Sequence, residues 1–334
     1  MKKIRNIIVI GASSGGISAI KEVINGLPQN INAAVVVVIH VSIHSNCSII
    51  ASILQNYTSL TCVVASNGQV LQKGHLYLAP AGHQMMLKED SIVLTHGPYE
   101  NKYRPAIDVL FRSAAVYYGN RVIGVILTGL LDDGTSGMYA IKKSGGLCIV
   151  QDPSDASFPD MPNSVINKIT VDYILPVTEI AETIMSFLAV PLPPEVPISK
   201  EIEIEVEIVE NMVTDESKLK KIGEKSDFVC PDYEGELYTL KEEPIPRYSC
   251  YTGHVYTEKV LDEIQDHKLE ESIWVSIRML EEKANLMQLM SNRINGDQSR
   301  LKNYQGRISQ TKQHIDSLKS FLLFFNDLQA KTSQ

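Results

Sequence analysis

Three residue types that cooperate in acyl transfer stand at the ends of three apolar runs. Ile7-Ile8-Val9-Ile10 leads into Gly11-Ala12-Ser13-Ser14-Gly15-Gly16, which lifts Ser13 onto a tight turn between a buried strand and a helix. Val35 to Ile39 ends in His40, and Gly124 to Thr128 runs into Gly129-Leu130-Leu131-Asp132-Asp133-Gly134. A serine hydroxyl becomes a nucleophile when a base takes its proton, and a carboxylate that orients the base completes the set. Gly11-x-Ser13-x-Gly15 has nucleophile-elbow spacing. A Gly-rich turn of this kind also cradles phosphate at a helix N-terminus. Taken singly, His40 reads equally as a core histidine, and Asp132 or Asp133 as a helix cap. Their coincidence at three strand ends favours catalysis, because open parallel sheets place their sites at that edge.

The elements that must position these residues follow from hydrophobic patterning. Strands are predicted at Ile7 to Ile10, Ala34 to Ile39, Cys62 to Ala65, Leu76 to Leu78, Ser91 to Thr95, Val122 to Thr128, Leu147 to Val150 and Tyr173 to Leu175. Amphipathic helices fall between them at Ser18 to Asn25, Ser48 to Tyr57, Ile107 to Tyr118, Gly137 to Ser144, Pro162 to Lys168 and Val177 to Phe187. The alternation predicts an α/β fold, a doubly wound and mostly parallel sheet. Leu76 to Leu78 and Ser91 to Thr95 are read as a β-hairpin decorating it. The order Ser, His, Asp differs from the Ser, Asp, His order of α/β-hydrolases, so a triad here belongs to another fold. A dinucleotide site fits poorly, since the second strand ends in His40 where a ribose-binding acid would stand.

Residues 1–192 read as this catalytic domain. Residues 193–226 read as a linker in which the Glu/Ile alternation from Glu201 to Glu210 suggests one edge strand. Residues 227–257 form a small turn-rich, ribbon-like segment in which Phe228, Tyr238, Tyr248 and Tyr256 are expected to pack. Residues 258–330 read as an α-helical hairpin or coiled coil, broken at Asn295-Gly296-Asp297. Its seam is Met287, Ile294, Leu301, Ile308, Ile315 and Leu322 at seven-residue intervals. Trp274 is expected in the core with Ile273, Ile277 and Leu280. A seam of this kind closes on its own hairpin, or forms a coiled coil that binds a partner or a second copy.

Further motifs carry a family resemblance: Tyr77-Leu78-Ala79-Pro80, Arg104-Pro105-Ala106-Ile107-Asp108-Val109-Leu110-Phe111, Leu127-Thr128-Gly129 with Asp133-Gly134, Gln151-Asp152 and Met161-Pro162. With the Gly11 to Gly16 turn and His40, the stretch from about Ile7 to Ile184 resembles the protein-glutamate methylesterases of bacterial chemotaxis, the CheB family. The resemblance implies a serine hydrolase that removes γ-methyl esters from glutamyl residues of chemoreceptors and can deamidate glutamine. It assigns Ser13 as nucleophile, His40 as base and Asp133, rather than Asp132, as the third member. From position, the backbone N–H groups of Ser14 and Leu130 are expected to hold the oxyanion. The resemblance makes Arg104 an active-site residue whose cationic fork would bind acidic groups flanking the substrate, its other reading being a surface salt bridge. Methylated chemoreceptors or receptor-like proteins are the implied partners, with a methyltransferase as counterpart. The alternative is a non-catalytic scaffold acting through the C-terminal helices.

Family members with an N-terminal receiver domain are controlled by its phosphorylation. The six residues before the first strand leave no room for one here, so such control in cis is not expected. The C-terminal part resembles an appendage with a zinc-ribbon-like Cys-Pro-x-Cys and Cys-x-x-Gly-His arrangement. Cys230, Cys250 and His254 match it, but Tyr233 stands in place of the second cysteine, so no metal and no other cofactor is expected.

In the 334-residue chain, 44% hydrophobic content supports a large core, and a formal charge of −8 without a basic stripe argues against nucleic acid as partner. The short apolar run after Met1-Lys2-Lys3 is neither a signal peptide nor a membrane span. Five scattered cysteines suit a reducing cytoplasm.

Overall fold

The computed structural model describes residues 6–212, 216–241, 244–294 and 297–332. The chain divides into two compact units, Met1–Leu261 and Asp262–Gln334. In the first, β1 (Ile7–Ala12), β2 (Ala34–Ile39), β3 (Thr61–Val64), β4 (His75–Leu78), β7 (Val122–Ile126), β8 (Leu147–Gln151) and β9 (Tyr173–Leu175) form one sheet. Its order is β3-β4-β2-β1-β7-β8-β9, and every pairing is parallel.

The pleat explains why these strands are apolar along their whole length. Ile7 and Val9 enter one core, while Ile8, Ile10 and Ala12 enter the other. The second core is covered by α1 (Gly16–Asn25), α2 (Cys47–Gln55) and α6 (Val177–Leu188), through residues such as Ile20, Val23, Leu54, Ile180 and Ile184. The first is covered by α3 (Ile107–Tyr118), α4 (Thr135–Lys143) and α5 (Asp160–Lys168), through Leu110, Phe111, Met138 and Met161. Strand order reverses about β1: the chain first builds outward through β2 and later returns to place β7 on the other side. The carboxyl ends of β1, β2 and β7 therefore meet at the switch point.

Three expectations need correction. Leu76–Leu78 is not half of a hairpin: it is the core of β4, between β2 and β3 in the main sheet. The hairpin pairs β5 (Gln84–Lys88) with β6 (Ser91–Thr95) through a turn at Glu89-Asp90, where Glu89 has φ 51°. Gln84-Met85-Met86-Leu87 lacks the β-branched residues that advertise a strand, and the hairpin forms because Met85, Leu87 and Ile92 bury against the sheet's first core.

The Glu/Ile alternation is likewise not an edge strand but a helix, α7 (Lys200–Asn211). Ser199 caps it by accepting from Ile202 N at 3.5 Å. Ile202, Glu205, Val206 and Val209 lie on its buried face at helical spacing. The buried carboxylate decides the matter: Glu205 meets Arg247 at 2.7 Å and Arg112 at 3.6 Å, while Arg112 also bonds Glu100 at 2.5 Å.

After α8 (Glu216–Ile222), β10 (Gly223–Val229), β11 (Glu236–Leu240), β12 (Arg247–Cys250) and β13 (Val255–Thr257) make an antiparallel accessory sheet in that order. Tyr238, Tyr248 and Tyr256 are buried there, and Phe228, though exposed, contacts Tyr248 edge-on at 5.2 Å.

Helices α9 (Glu258–Ser291) and α10 (Gln298–Thr332) supply the expected hairpin. Asn295 and Gly296 of the expected break lie outside the described residues. Ile273, Ile277, Ile315 and Leu322 cluster with Leu280 and Leu318. Trp274 is not in this core: it is 50% exposed and donates to Glu270 at 3.3 Å. A two-helix seam is narrow, and the position beside Ile273 falls outside it. Among the described residues no helix is long and apolar enough to cross a membrane.

Candidate active site

Backbone hydrogen bonds lace the three strand ends together. His40 N donates to Ala12 O at 3.1 Å, Leu127 N to Gly11 O at 3.0 Å and Ser13 N to Thr128 O at 3.0 Å. Ser13 therefore sits between the end of β2 and the loop after β7. The left-handed residue of its turn is Gly15, φ 76°, which opens α1. Ser13 itself is not left-handed, unlike the strained nucleophile of a true elbow.

Asp133 is 1% exposed and saturated with donors. Its Oδ2 accepts from His40 Nε2 at 2.7 Å and Ile107 N at 2.7 Å. Its Oδ1 accepts from Asp108 N at 3.2 Å, Asn101 Nδ2 at 3.2 Å and Gly134 N at 3.0 Å. Burial works to raise its pKa, but the hydrogen bond and charge of His40, with the Ile107 and Asn101 donors, prevail and hold it below the usual carboxylate value. Asp108, beside it in the first turn of α3, goes the other way. Burial and the neighbouring Asp133 charge push its pKa well up.

His40 is thereby fixed with Nε2 on Asp133 and Nδ1 buried without a hydrogen-bond partner. Tyr103 stacks flat on the ring, with centroids 3.4 Å apart and planes within 6°. An imidazole held this way has one nitrogen free to take a proton from the neighbouring serine turn.

The loop after β7 is held equally firmly. Thr128 N donates to Gln151 Oε1 at 2.9 Å, and Thr128 Oγ1 donates to Ser14 O at 3.1 Å while accepting from Phe158 N at 2.8 Å. Gly129 has no room for a side chain: a Cβ there would lie 2.1 Å from Met161 Sδ and 2.8 Å from Ser13 Cβ. These contacts give Gln151 and Met161 a physical role, to press the Gly129 backbone against Ser13. Among the described residues the backbone N–H groups of Ser14 and Leu130 make no hydrogen bond, so both are free to stabilise an oxyanion. The Leu130 side chain is 41% exposed and contributes no packing need.

Arg104 follows Tyr103 directly. Its Nη1 donates to the carbonyls of His96 at 3.2 Å and Gly97 at 2.9 Å, and its guanidinium lies 4.4 Å over the Tyr99 ring. Cys230, Cys250 and His254 are brought together, but in the accessory sheet and not beside Ser13. Asp132 does not join His40; its Oδ1 accepts from Thr257 Oγ1 at 2.9 Å.

Sequence reasoning missed Asn101 and Tyr103. Asn101 is fully buried at φ 52°, bonds both Asp108 and Asp133, and accepts from Thr257 N at 3.0 Å. An asparagine in the left-handed region is a local turn signal, but nothing local says which carboxylate its amide will meet.

The sequence model described as CheB methylesterase matches residues 8–184. A Leptospira interrogans protein provisionally named a protein-glutamate methylesterase/protein-glutamine glutaminase is 38% identical over 176 residues, 52% of this chain and 91% of that one. A Methanosarcina mazei protein-glutamate methylesterase/protein-glutamine glutaminase is 34% identical over 193 residues, 55% of this chain and 52% of that protein. The crystal structure of the Thermotoga maritima CheB methylesterase catalytic domain superimposes with a TM-score of 0.53 at 34% identity, covering 55% of this chain and 99% of that domain.

Proposed function

The chain belongs to the CheB methylesterase family, and on that premise we propose that it hydrolyses γ-methyl esters of glutamyl residues on methylated chemoreceptors, with Ser13, His40 and Asp133 as its catalytic triad. The observation that carries this reading is the His40 Nε2 to Asp133 Oδ2 bond of 2.7 Å, made where the ends of β1, β2 and β7 converge. Ser13 Oγ attacks the ester carbonyl as His40 Nδ1 takes its proton. The oxyanion is met by the Ser14 and Leu130 N–H groups. The tetrahedral intermediate collapses, the carbon–oxygen bond to the methoxy group breaks, and His40 returns the proton so that methanol leaves. Water, deprotonated by His40, then attacks the Ser13 acyl ester and releases glutamate. With a glutamine substrate the same steps release ammonia, which is deamidation. Asp133 carries no proton in this cycle; it keeps the Nε2 hydrogen in place so that Nδ1 faces the serine as an acceptor.

Arg104, beside the Tyr103 that stacks on His40, supplies positive charge for acidic groups near the modified glutamate. A methyltransferase is the chemical counterpart that loads the ester, and the cytoplasm is the compartment where both would meet a receptor's signalling helices. Exposed Met279, Leu286, Leu323 and Phe324 on α9 and α10 support self-association through these helices.

The test is methanol release from methyl-labelled receptor fragments by wild type, Ser13→Ala and His40→Ala, with fluorophosphonate labelling in parallel. Release by wild type alone supports the proposal. Labelling at Ser13 without methanol release would mean a serine hydrolase with another substrate, and neither would leave the scaffold reading.

A further inference from the structure

Outside the site, one cluster of nucleophilic and ligating side chains is left without a role. Cys230 follows β10, Cys250 ends β12, and His254 precedes β13, so two turns of the accessory sheet bring them together. All three are buried, at 0%, 1% and 5% exposure, and their ligand atoms lie within 4.8 Å of one another. His254 Nδ1 is 3.6 Å from Cys250 Sγ and 3.9 Å from Cys230 Sγ.

A tetrahedral zinc with bonds of about 2.3 Å to sulfur and about 2.0 Å to nitrogen separates sulfur and nitrogen ligands by about 3.5 Å. Cys250 Sγ also lies 2.8 Å from Thr252 Oγ1.

We propose that Cys230 Sγ, Cys250 Sγ and His254 Nδ1 bind one zinc ion, with the fourth position taken by solvent beside Thr252 Oγ1. Two thiolates and an imidazole are a soft donor set that selects zinc over magnesium or calcium. The surroundings fit the ion's needs. His254 Nε2 faces Asp232 Oδ2 at 3.9 Å, on the side where a carboxylate commonly supports a ligating histidine. Tyr256 OH sits 3.2 Å from Cys230 Sγ and donates to Asp232 at 2.5 Å. Tyr233, which replaces the second cysteine of a four-ligand ribbon, lays its ring 5.0 Å from that of His254. The absence of a fourth protein ligand, which counted against a metal in the sequence, leaves a three-ligand site rather than none.

The site's position gives the ion a structural task. The next residues after His254 reach the methylesterase half: Asn101 N donates to Val255 O at 2.9 Å, and Thr257 N donates to the same asparagine that bonds Asp133. Fixing the β12–β13 turn therefore steadies the Asn101 brace on Asp133.

The experiment is zinc analysis of the full chain purified from zinc-supplemented culture, with wild type, Cys230→Ser, Cys250→Ser and Asp232→Asn compared. One zinc per chain in wild type, lost in both serine variants, is the expected result. Asp232→Asn should keep the stoichiometry and weaken affinity by about 10–100-fold. A cobalt(II)-loaded wild type should show thiolate charge-transfer absorption, which reads the ligands without any variant having to fold. Wild-type protein that retains no zinc after loading, shows no such absorption, or carries a Cys230–Cys250 disulfide as isolated would overturn the proposal.

Discussion

Replacing Asp133 by asparagine tests the triad and its supporting network at once. Every partner of Asp133 is a donor: Ile107 N and His40 Nε2 on Oδ2, and Asp108 N, Gly134 N and Asn101 Nδ2 on Oδ1. An amide has one acceptor atom and so cannot serve both sides. With its NH₂ on the Oδ1 side it would oppose three donors. With NH₂ on the Oδ2 side it opposes Ile107 N alone, provided His40 turns Nε2 into an acceptor. The second arrangement wins, and it places the imidazole hydrogen on Nδ1, where Ser13 needs an acceptor. One buried unsatisfied donor costs about 1–3 kcal/mol of stability. The wrong tautomer costs about 10⁴-fold in rate. Asp133→Asn should therefore remain folded, with a modestly lower urea midpoint, and lose methanol release by about four orders of magnitude across the pH range. A folded variant that keeps a tenth or more of the wild-type rate would refute the assignment of Asp133 as the orienting carboxylate.

Three further outcomes follow from the same geometry. Gly129→Ala should lower activity by about 10²-fold or more, read as initial rates of methanol release, because its Cβ must displace Met161 or Ser13 and so move the Leu130 N–H. Arg247→Ala should destabilise the first unit by about 3–5 kcal/mol in urea unfolding, since it strips Glu205 and Glu100 of a fully buried partner; Arg247→Met should cost less if hydrophobic packing can replace the network. Asp108 binds its proton more tightly folded than unfolded. Its contribution to stability is complete below the unfolded value of about 4 and is lost as pH rises toward the raised native value. Wild type should therefore lose stability relative to Asp108→Asn as pH increases above about 4, and parallel curves would disprove the inversion.

Much of the fold was legible because its signals are local. The Val/Ile runs of β1, β2, β7 and β8 and the helix Ile107–Tyr118 lie where hydrophobic period places them. The errors share one cause, the dominance of tertiary burial over local period. The alternation at Glu201 to Glu210 has a strand's period at its start, yet becomes a helix because Glu205 finds Arg112 and Arg247 across the fold. The hairpin partner of Ser91–Thr95 was misassigned because Gln84–Lys88 carries no strand composition. Gln84 is nonetheless fully buried, donating to Pro98 O and Tyr103 O and accepting from Ala106 N, and so shapes the very loop that presents Asn101 and Tyr103.

The sequence by itself determined the parallel α/β sheet and the placing of Ser13, His40 and Asp133 at strand ends, since a buried strand followed by a glycine-rich turn is written in consecutive residues. The family resemblance already named Asp133 rather than Asp132, but only the tertiary structure supplies the physical reason. Asp132 and Asp133 are equivalent as letters, but the donors of Asn101, Ile107 and Asp108 converge on Asp133 while Thr257 takes Asp132. Tertiary structure also gathered Cys230, Cys250 and His254 into one buried cluster. A carboxylate's state depends on the donors that surround it, and those arrive from loops that no local pattern connects.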